Sequence, residues 1–432
     1  MSPRQKLTTT GGRTATTRHI FGERVLSVGM PINQPAPTGW RWVPLSEVAT
    51  MESGHTPSRE HPEYWNGDIP WLGVRDAGKN HSTVINDTSE HTNQRGIDNS
   101  SARLLPAGTV CLSRGGTVGY VVMLGRPMCT SQGFANWICG PELDARFLMH
   151  LLLSEKSGLD RFAIGTTIQT IYYPDLKALH VCIPSLSEQQ RIVRLLDEAF
   201  EGIAIAKANA EKNLQNARAL FKSQLQSVFT QSGNGWTDRA LEEICSVSAG
   251  NSAPQDPGYF TEGTIPFFRT SDAGRIKFGT IYESQDKLNS HGASKLRRYP
   301  AGTILFPKSG ASTFLNHRVV LGVEGCVSSH LATIVPDLDH VLPQFLLYAL
   351  TLIDAKDLIQ DQSYPSLNLP AIENVRIYLP PLDEQQQVVH LLDELQVITD
   401  KLARICSAKQ ASLEDLKESL LHQAFSGKLE AA

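Results

Sequence analysis

Ser187-Glu188-Gln189-Gln190-Arg191-Ile192-Val193-Arg194-Leu195-Leu196-Asp197-Glu198 occurs twice, returning 196 residues on as Asp383-Glu384-Gln385-Gln386-Gln387-Val388-Val389-His390-Leu391-Leu392-Asp393-Glu394. The interval holds without a gap from Pro184/Pro380 to Phe229/Phe425, so a long segment has been duplicated. Each copy opens with a helix-start signal. Ser187 or Asp383 caps the first free amides, and Gln190 or Gln386, three residues on, completes a capping box. In the first copy Ile192, Leu196, Ala199, Ile203, Ala206 and Ala210 follow a 4-3 spacing that Ala217 and Leu220 resume after Asn213. In the second copy the seam is Leu391, Leu395, Ile398, Leu402 and Ile405, followed by Leu413, Leu416 and Leu420. So narrow an apolar stripe suits a helix packed on one other helix. Each helix is expected to run roughly 65 Å, longer than a compact domain needs, which reads as a spacer.

The same interval extends outside the helices. Gly39-Trp40 matches Gly235-Trp236, Gly54 matches Gly250, Ile69-Pro70-Trp71 matches Ile265-Pro266-Phe267, and Asp76-Ala77-Gly78 matches Asp272-Ala273-Gly274. Leu105-Pro106-Ala107-Gly108 pairs with Tyr299-Pro300-Ala301-Gly302 at an interval of 194, and Cys129-Thr130-Ser131 with Cys326-Val327-Ser328 at 197. Small insertions have thus accumulated in the globular parts but not in the helices, as expected if loops tolerate length change and a helix-pair register does not.

The resulting division is a flexible leader over 1–38, a globular domain over 39–182, a helix over 183–232, a second globular domain over 233–378 and a C-terminal helix over 379–432. The leader is poor in apolar residues and ends in Pro31, Pro35 and Pro37. Its Arg4, Lys6, Arg13, Arg18 and Arg24 are within the chemistry of phosphate contact, although a solvated tail is the preferred reading. The globular parts read as mixed α/β (α+β). Short β-branched runs at Gly108–Leu112, Gly119–Leu124 and Val319–Val323 are broken by turns, with one helix near Ala145–Ser154 and one near Pro343–Leu352. No helix follows every strand, which disfavours a doubly wound sheet. Two long helices packed antiparallel would relate the halves by a pseudo-two-fold axis. Asn213 and its counterpart Lys409 then either fix the register or are exposed where the seam drifts.

Composition narrows the function. At 432 residues with 41% hydrophobic content, the chain is long enough for several cores. No run is long enough to span a membrane and no secretory signal is visible, which points to a cytoplasmic protein. Seven scattered cysteines without a C-x-x-C pair, and thirteen histidines without a ligating pattern, suggest reduced thiols and neither metal nor cofactor. A net charge of −4 argues against an indiscriminate polyanion binder but allows local basic clefts.

The repeated P-x-L-x-E-Q-Q-x-x-V/I-x-x-L-L-D-E segment, the Gly-Trp openings, I-P-W/F followed by D-A-G, and P-A-G-T-V/I together resemble the specificity (S) subunit of a type I restriction–modification system, from Gly39 to Leu429. The resemblance implies two target recognition domains, each reading one half of a split site in double-stranded DNA. It also implies an antiparallel coiled coil that docks two modification (M) subunits. Adenine methylation then belongs to the M subunits and cleavage to restriction (R) subunits of the full complex. The leader departs from this pattern.

Base edges are read by Arg, Lys, Asn, Gln, Ser and Thr. Three loops per domain carry such residues between strands. The first is Ser113-Arg114-Gly115-Gly116-Thr117, aligned with Pro307-Lys308-Ser309-Gly310-Ala311; the second is Ser131-Gln132, aligned with Ser328-Ser329-His330. The third is Thr166-Thr167-Ile168-Gln169, with Ser363-Tyr364-Pro365-Ser366 near the equivalent place. Arg114 and Lys308 lead the candidates because charge recurs there; Arg75, Arg269, Lys295, Arg297 and Arg298 read first as solvated charge. Partner contact is expected at the helix entrances, Glu188-Gln189-Gln190 and Glu384-Gln385-Gln386, where capping is the rival explanation.

A catalytic reading finds little support. The sole Pro-Pro, Pro380-Pro381, sits at a helix entrance rather than in a methyltransferase loop, and Gly115-Gly116-Thr117-Val118-Gly119 is not followed by a helix. Pro336-Asp337 with Asp354-Ala355-Lys356 is too short to indicate a nuclease. A protein-binding scaffold remains the other alternative. Conserved helices beside diverged domains fit two-part recognition better.

Overall fold

The computed structural model describes residues 17–20, 23–29, 34–155, 159–165, 169–230, 235–359 and 366–429. The chain divides into two units, residues 1–210 with 408–432 and residues 211–407, so that each long helix is shared between them.

In the first unit a five-stranded sheet runs Ala49–Ser53, Phe134–Cys139, Val110–Ser113, Val121–Leu124, Val84–Ile85, antiparallel except for its last pair. The helix Ala145–Leu153 packs on this sheet, started by Asp144, whose carboxylate accepts from the amides of Arg146 and Phe147. Trp137, Phe147, Leu148, Leu152 and Phe162 form the core between them. A smaller sheet joins Cys129–Thr130, Trp65–Leu72 and His91–Thr92. The second unit repeats the plan. Its five strands are Cys245–Ala249, Leu331–Pro336, Ile304–Pro307, Arg318–Leu321 and Phe278–Ile281, again with only the last pair parallel. Pro343–Thr351 is the covering helix. The parallel pairing of Cys129 with Trp71 recurs as Cys326 with Phe267.

The leader read as a flexible arm is partly built into the fold. Glu23–Ser27 pairs in parallel with Leu179–Ile183 and antiparallel with Thr17–Ile20, and Val28 is fully buried in the first core. Gly29, with φ +85°, donates its amide to Glu155 at 2.8 Å. In the second unit the corresponding strand, Arg376–Leu379, pairs with Thr237–Ala240 alone among the described residues.

The two long helices are Leu186–Thr230, with 45 residues, and Leu382–Phe425, with 44. Within each unit they run antiparallel. In the first, Arg191 donates to the Leu429 carbonyl at 3.2 Å, the Lys417 ammonium lies 5.1 Å from the Phe200 ring, and Lys207 pairs with Glu414. In the second, Leu225 packs with Leu392 and Tyr348, flanked by Phe221, Phe229 and Val388. Each domain therefore uses the start of one helix and the end of the other. Phe425 meets Phe147 at 5.2 Å in the first unit, and Phe229 meets Phe345 at 5.1 Å in the second.

The seam of the first helix is the expected one, with Ile192, Leu196, Ile203 and Ala210 buried, although Leu220 is exposed. That of the second holds in part, with Leu395, Leu413 and Leu420 half-buried, but its other positions give way to their neighbours. Leu391, Ile398, Leu402, Ile405 and Leu416 are exposed, while Leu392, Cys406 and Leu421 are buried. Asn213 and Lys409 are both exposed, which selects drift over register control.

Candidate nucleic-acid interface

The strand Val110–Ser113 leads into the first predicted loop, whose Gly115–Gly116 pairs antiparallel with Gln169–Thr170 of the third. The Arg114 amide donates to the Gly133 carbonyl, beside the second loop, at 2.7 Å, and the Arg114 carbonyl accepts from Ile171 at 2.8 Å. One residue thus stitches three segments far apart in sequence. The second domain repeats the stitch at Lys308, whose amide donates to His330 at 3.0 Å and whose carbonyl accepts from Leu367 at 2.7 Å. Ser309 bridges to Ser366, and the Ser309 hydroxyl lies 2.7 Å from the His330 Nδ1.

Within the first cluster Gly116, Thr117, Gln132 and Gln169 are exposed, Gly115 is half-buried and Ser131 is buried. The Gln132 carboxamide oxygen accepts from Thr56. Within the second, Ser366 is exposed, Lys308, Ser309 and Ser329 are half-buried, and Ser328 is buried. Thr167 and Ser363 lie outside the described residues. Arg114 differs from expectation in its side chain. Its Nη1 donates to the Ile171 carbonyl at 3.0 Å and its guanidinium lies 4.0 Å from the Tyr173 ring, so the side chain is tied to the segment that follows the third loop. Gly54 and Gly250 have a related duty. A Cβ at Gly54 would lie 2.1 Å from the Ser131 carbonyl oxygen, and one at Gly250 2.3 Å from that of Ser328, so only glycine lets the strand pass the second loop.

The matched Asp-Ala-Gly segments are structural. The Asp76 carboxylate is buried and accepts from the Ser89 amide and hydroxyl; that of Asp272 accepts from the amides of Gln285 and Arg269. Among the described residues no group of three or more His, Cys, Asp or Glu side chains converges as a metal site.

At the helix entrances the capping box is replaced by a latch. The first helix starts at Leu186, two residues earlier than a cap at Ser187 implies, and the side chain that reaches back is Gln189 rather than Gln190. Gln189 is fully buried; its amide group donates to the Glu142 and Pro184 carbonyls at 2.9 and 3.1 Å, and its oxygen accepts from the Asp144 amide at 2.9 Å. Gln385 makes the same three bonds, to His340, Pro380 and Leu342, each at 2.9 Å. These two residues therefore do not face a partner, correcting that part of the expectation. Gln190 and Gln386 are exposed, and Glu188 and Glu384 are half-buried. Arg191 chelates the Glu188 carboxylate and lowers its pKa, while Glu384 accepts from the Trp236 indole at 2.8 Å.

Two copies of one mixed α/β domain, each carrying three loops joined in the same way and each held by both long helices, define a duplicated recognition protein. The chain belongs to the family described as the type I restriction modification DNA specificity domain, whose profile matches residues 37–216 and again 233–406. It is 26% identical over 415 residues to the type I restriction enzyme MjaIX specificity subunit of Methanocaldococcus jannaschii, covering 91% of this chain and 94% of that protein. It is 20% identical to the EcoKI specificity subunit of Escherichia coli, with 91% and 90% covered. A chain solved in work on complex assembly and conformational transition of the type I R-M system superposes with a TM-score of 0.74 at 22% identity, covering 92% of this chain and all of that one. The HsdS subunit from Thermoanaerobacter tengcongensis gives 0.58, also at 22% identity, with 92% and 99% covered.

Proposed function

We propose that this chain is the DNA-reading subunit of a type I restriction–modification complex, with each domain contacting one half of a split duplex site. The observation that carries the reading is the three-loop stitch, built twice at Arg114 and Lys308 in domains whose loops have otherwise diverged. The DNA-contacting set is Arg114, Gly115, Thr117, Gln132, Thr167 and Gln169 in the first domain, with buried Ser131 shaping the second loop. In the second it is Lys308, Ser309, Ser329, Ser363 and Ser366, with buried Ser328 in the same supporting place. Exposed Gln132 and Gln169 have the donor–acceptor pair that suits an adenine edge.

The long helices set the distance between half-sites and dock two modification subunits, which methylate adenine; restriction subunits join the full complex. Docking uses Glu188, Gln190, Glu384 and Gln386, with Gln189 and Gln385 holding each entrance in shape. A cleft of about 360 Å³ beside Gln386, lined in part by Tyr282, Pro343 and Val389, supports this assignment, as does the aliphatic stripe exposed on the second helix. The chain itself performs no chemistry and works in the cytoplasm, where its thiols stay reduced.

The test is sequencing of methylated adenines in a host that makes this chain with the modification subunit encoded beside it, against a host that makes that subunit alone. A split motif appearing only with this chain is the expected result. An assembled complex that leaves no new methylation moves the assignment to a scaffold.

A further inference from the structure

Arg103 and Arg297 recur at the 194-residue interval of the turn that follows them, although their neighbours Ala102/Leu296 and Leu104/Arg298 have diverged. Both arginines are exposed, and both reach the same place. Arg103 pairs with the Glu52 carboxylate, and Arg297 Nη1 donates to the Ser248 hydroxyl at 3.2 Å. Glu52 and Ser248 occupy equivalent positions in the strands Ala49–Ser53 and Cys245–Ala249, two residues before the glycines that pass the second loop. In the second domain the link to that loop is direct. Asn251 exchanges hydrogen bonds with the Arg297 backbone, accepting from its amide at 3.0 Å and donating to its carbonyl at 2.9 Å, and the Asn251 carbonyl accepts from the Ser329 amide at 2.8 Å.

Charge separates the two copies. Glu52 neutralises Arg103, whereas Ser248 leaves Arg297 its full charge, and no carboxylate among the described residues pairs with Arg297. Nearby Arg298 is matched by Glu324, while Lys295 meets the Tyr259 hydroxyl and ring. A guanidinium held at a loop rim by the Ser248 hydroxyl and set 5.1 Å from the Tyr299 ring, with no carboxylate beside it among the described residues, suits an anionic oxygen of a sugar–phosphate backbone rather than a base edge.

We propose that Arg103 and Arg297 are a repeated phosphate-contact position beside the two reading clusters, active at Arg297 and silenced at Arg103 by Glu52. The inference rests on the specificity reading and adds to it an asymmetry: the second domain supplies more of the salt-sensitive attraction to duplex DNA.

The experiment uses the full chain assembled with its modification subunit, and measures binding by fluorescence anisotropy to a duplex bearing the methylated motif and to a scrambled duplex, across a salt series. R297A weakens both duplexes several-fold and flattens the slope of log affinity against log salt by about 0.9, the change for one lost phosphate contact. The substitution keeps both backbone bonds to Asn251, and R297K, which retains the charge, holds the slope. R103A alone changes little. E52Q steepens the slope by about 0.9 by releasing Arg103, and the E52Q/R103A pair returns it to the wild-type value. An unchanged slope in R297A, or a loss confined to the motif-bearing duplex, overturns the proposal while the specificity reading stands. An unchanged slope in E52Q overturns the silencing. A wild-type complex that prefers no split site overturns the specificity reading, and this proposal with it.

Discussion

Gln189 and Gln385 do with one side chain what a helix entrance usually divides among several groups. Each spends two donors and one acceptor inside its own domain, tying the start of a long helix to the segment that opens the short covering helix. Q189E or Q385E keeps the shape but replaces the donating amide with an oxygen that faces two carbonyls. Each is expected to lower stability by about 1–3 kcal/mol, the usual cost of unsatisfied buried polar groups, read from urea unfolding of the purified chain. Wild-type stability in Q189E would remove the latch. The sequence marked this segment by its repetition yet pointed to Gln190, because the helix begins two residues before the start that a cap at Ser187 implies, and Gln189 is the glutamine that faces inward.

The cysteines, read from their scatter alone as reduced, gain a physical reason at the same scale. Burial pushes the thiols of Cys129 and Cys182 up to about 11 and those of Cys139 and Cys245 to about 12, above the ordinary 9.0. Their folded thiolate population at pH 8 is therefore small, so a disulfide-exchange reagent labels these sites slowly in the native chain and rapidly in urea. Because the folded values are raised, their contribution to stability is complete below the unfolded value of 9.0 and is lost as pH rises through the folded ones. Rapid native labelling of these four sites, mapped by mass spectrometry, contradicts the burial.

At the scale of elements, the existence of the long helices and their antiparallel pairing were legible, whereas the phase of the second was not. Around its axis Leu391, Ile398, Leu402 and Ile405 compete with a neighbouring stripe through Leu392, Thr399, Ala403 and Cys406, and the smaller residues face inward. Hydrophobic size favoured the wrong stripe along this stretch, where Thr399, Ala403 and Cys406 are less exposed than Ile398, Leu402 and Ile405. Leu392→Ala is expected to cost about 2–5 kcal/mol, as for other buried leucines. Ile398→Glu, on the exposed stripe, stays within about 0.5 kcal/mol of wild type in the free chain. It nevertheless lowers recovery of the modification subunit on co-purification. If Ile398→Glu destabilises the free chain as much as Leu392→Ala, the stripe is part of the fold rather than a docking face. The leader's strand escaped notice for another reason. Glu23–Ser27 finds its partner at Leu179–Ile183, a distant pairing that no local pattern announces.

For the whole molecule, duplication made domain number, order and three matched loops visible, since residues preserved across two copies stand out against diverged surroundings. It could not reveal how Arg114 joins the loops, because two of those bonds run through its backbone amide and carbonyl, which are common to nearly every residue. The proposed ruler has a geometric consequence that uses both units. The helices exchange from one unit to the other between Ala210 and Glu211 and between Ser407 and Ala408, so a heptad inserted after Ala210 and another after Ser407 lengthen both strands of the pair without altering either set of packing contacts. Seven residues add about 10.5 Å of helix, the rise of roughly three base pairs. Methylation at the original spacing is expected to fall, and the motif recovered by sequencing should carry a gap longer by about three base pairs. A single insertion, in one helix alone, shifts the antiparallel register and should lower stability instead, which separates a changed ruler from a damaged one. If the doubly inserted chain folds, assembles and still methylates the original motif equally well, the helices do not set the half-site separation, and the domains must be placed on the duplex by their partners.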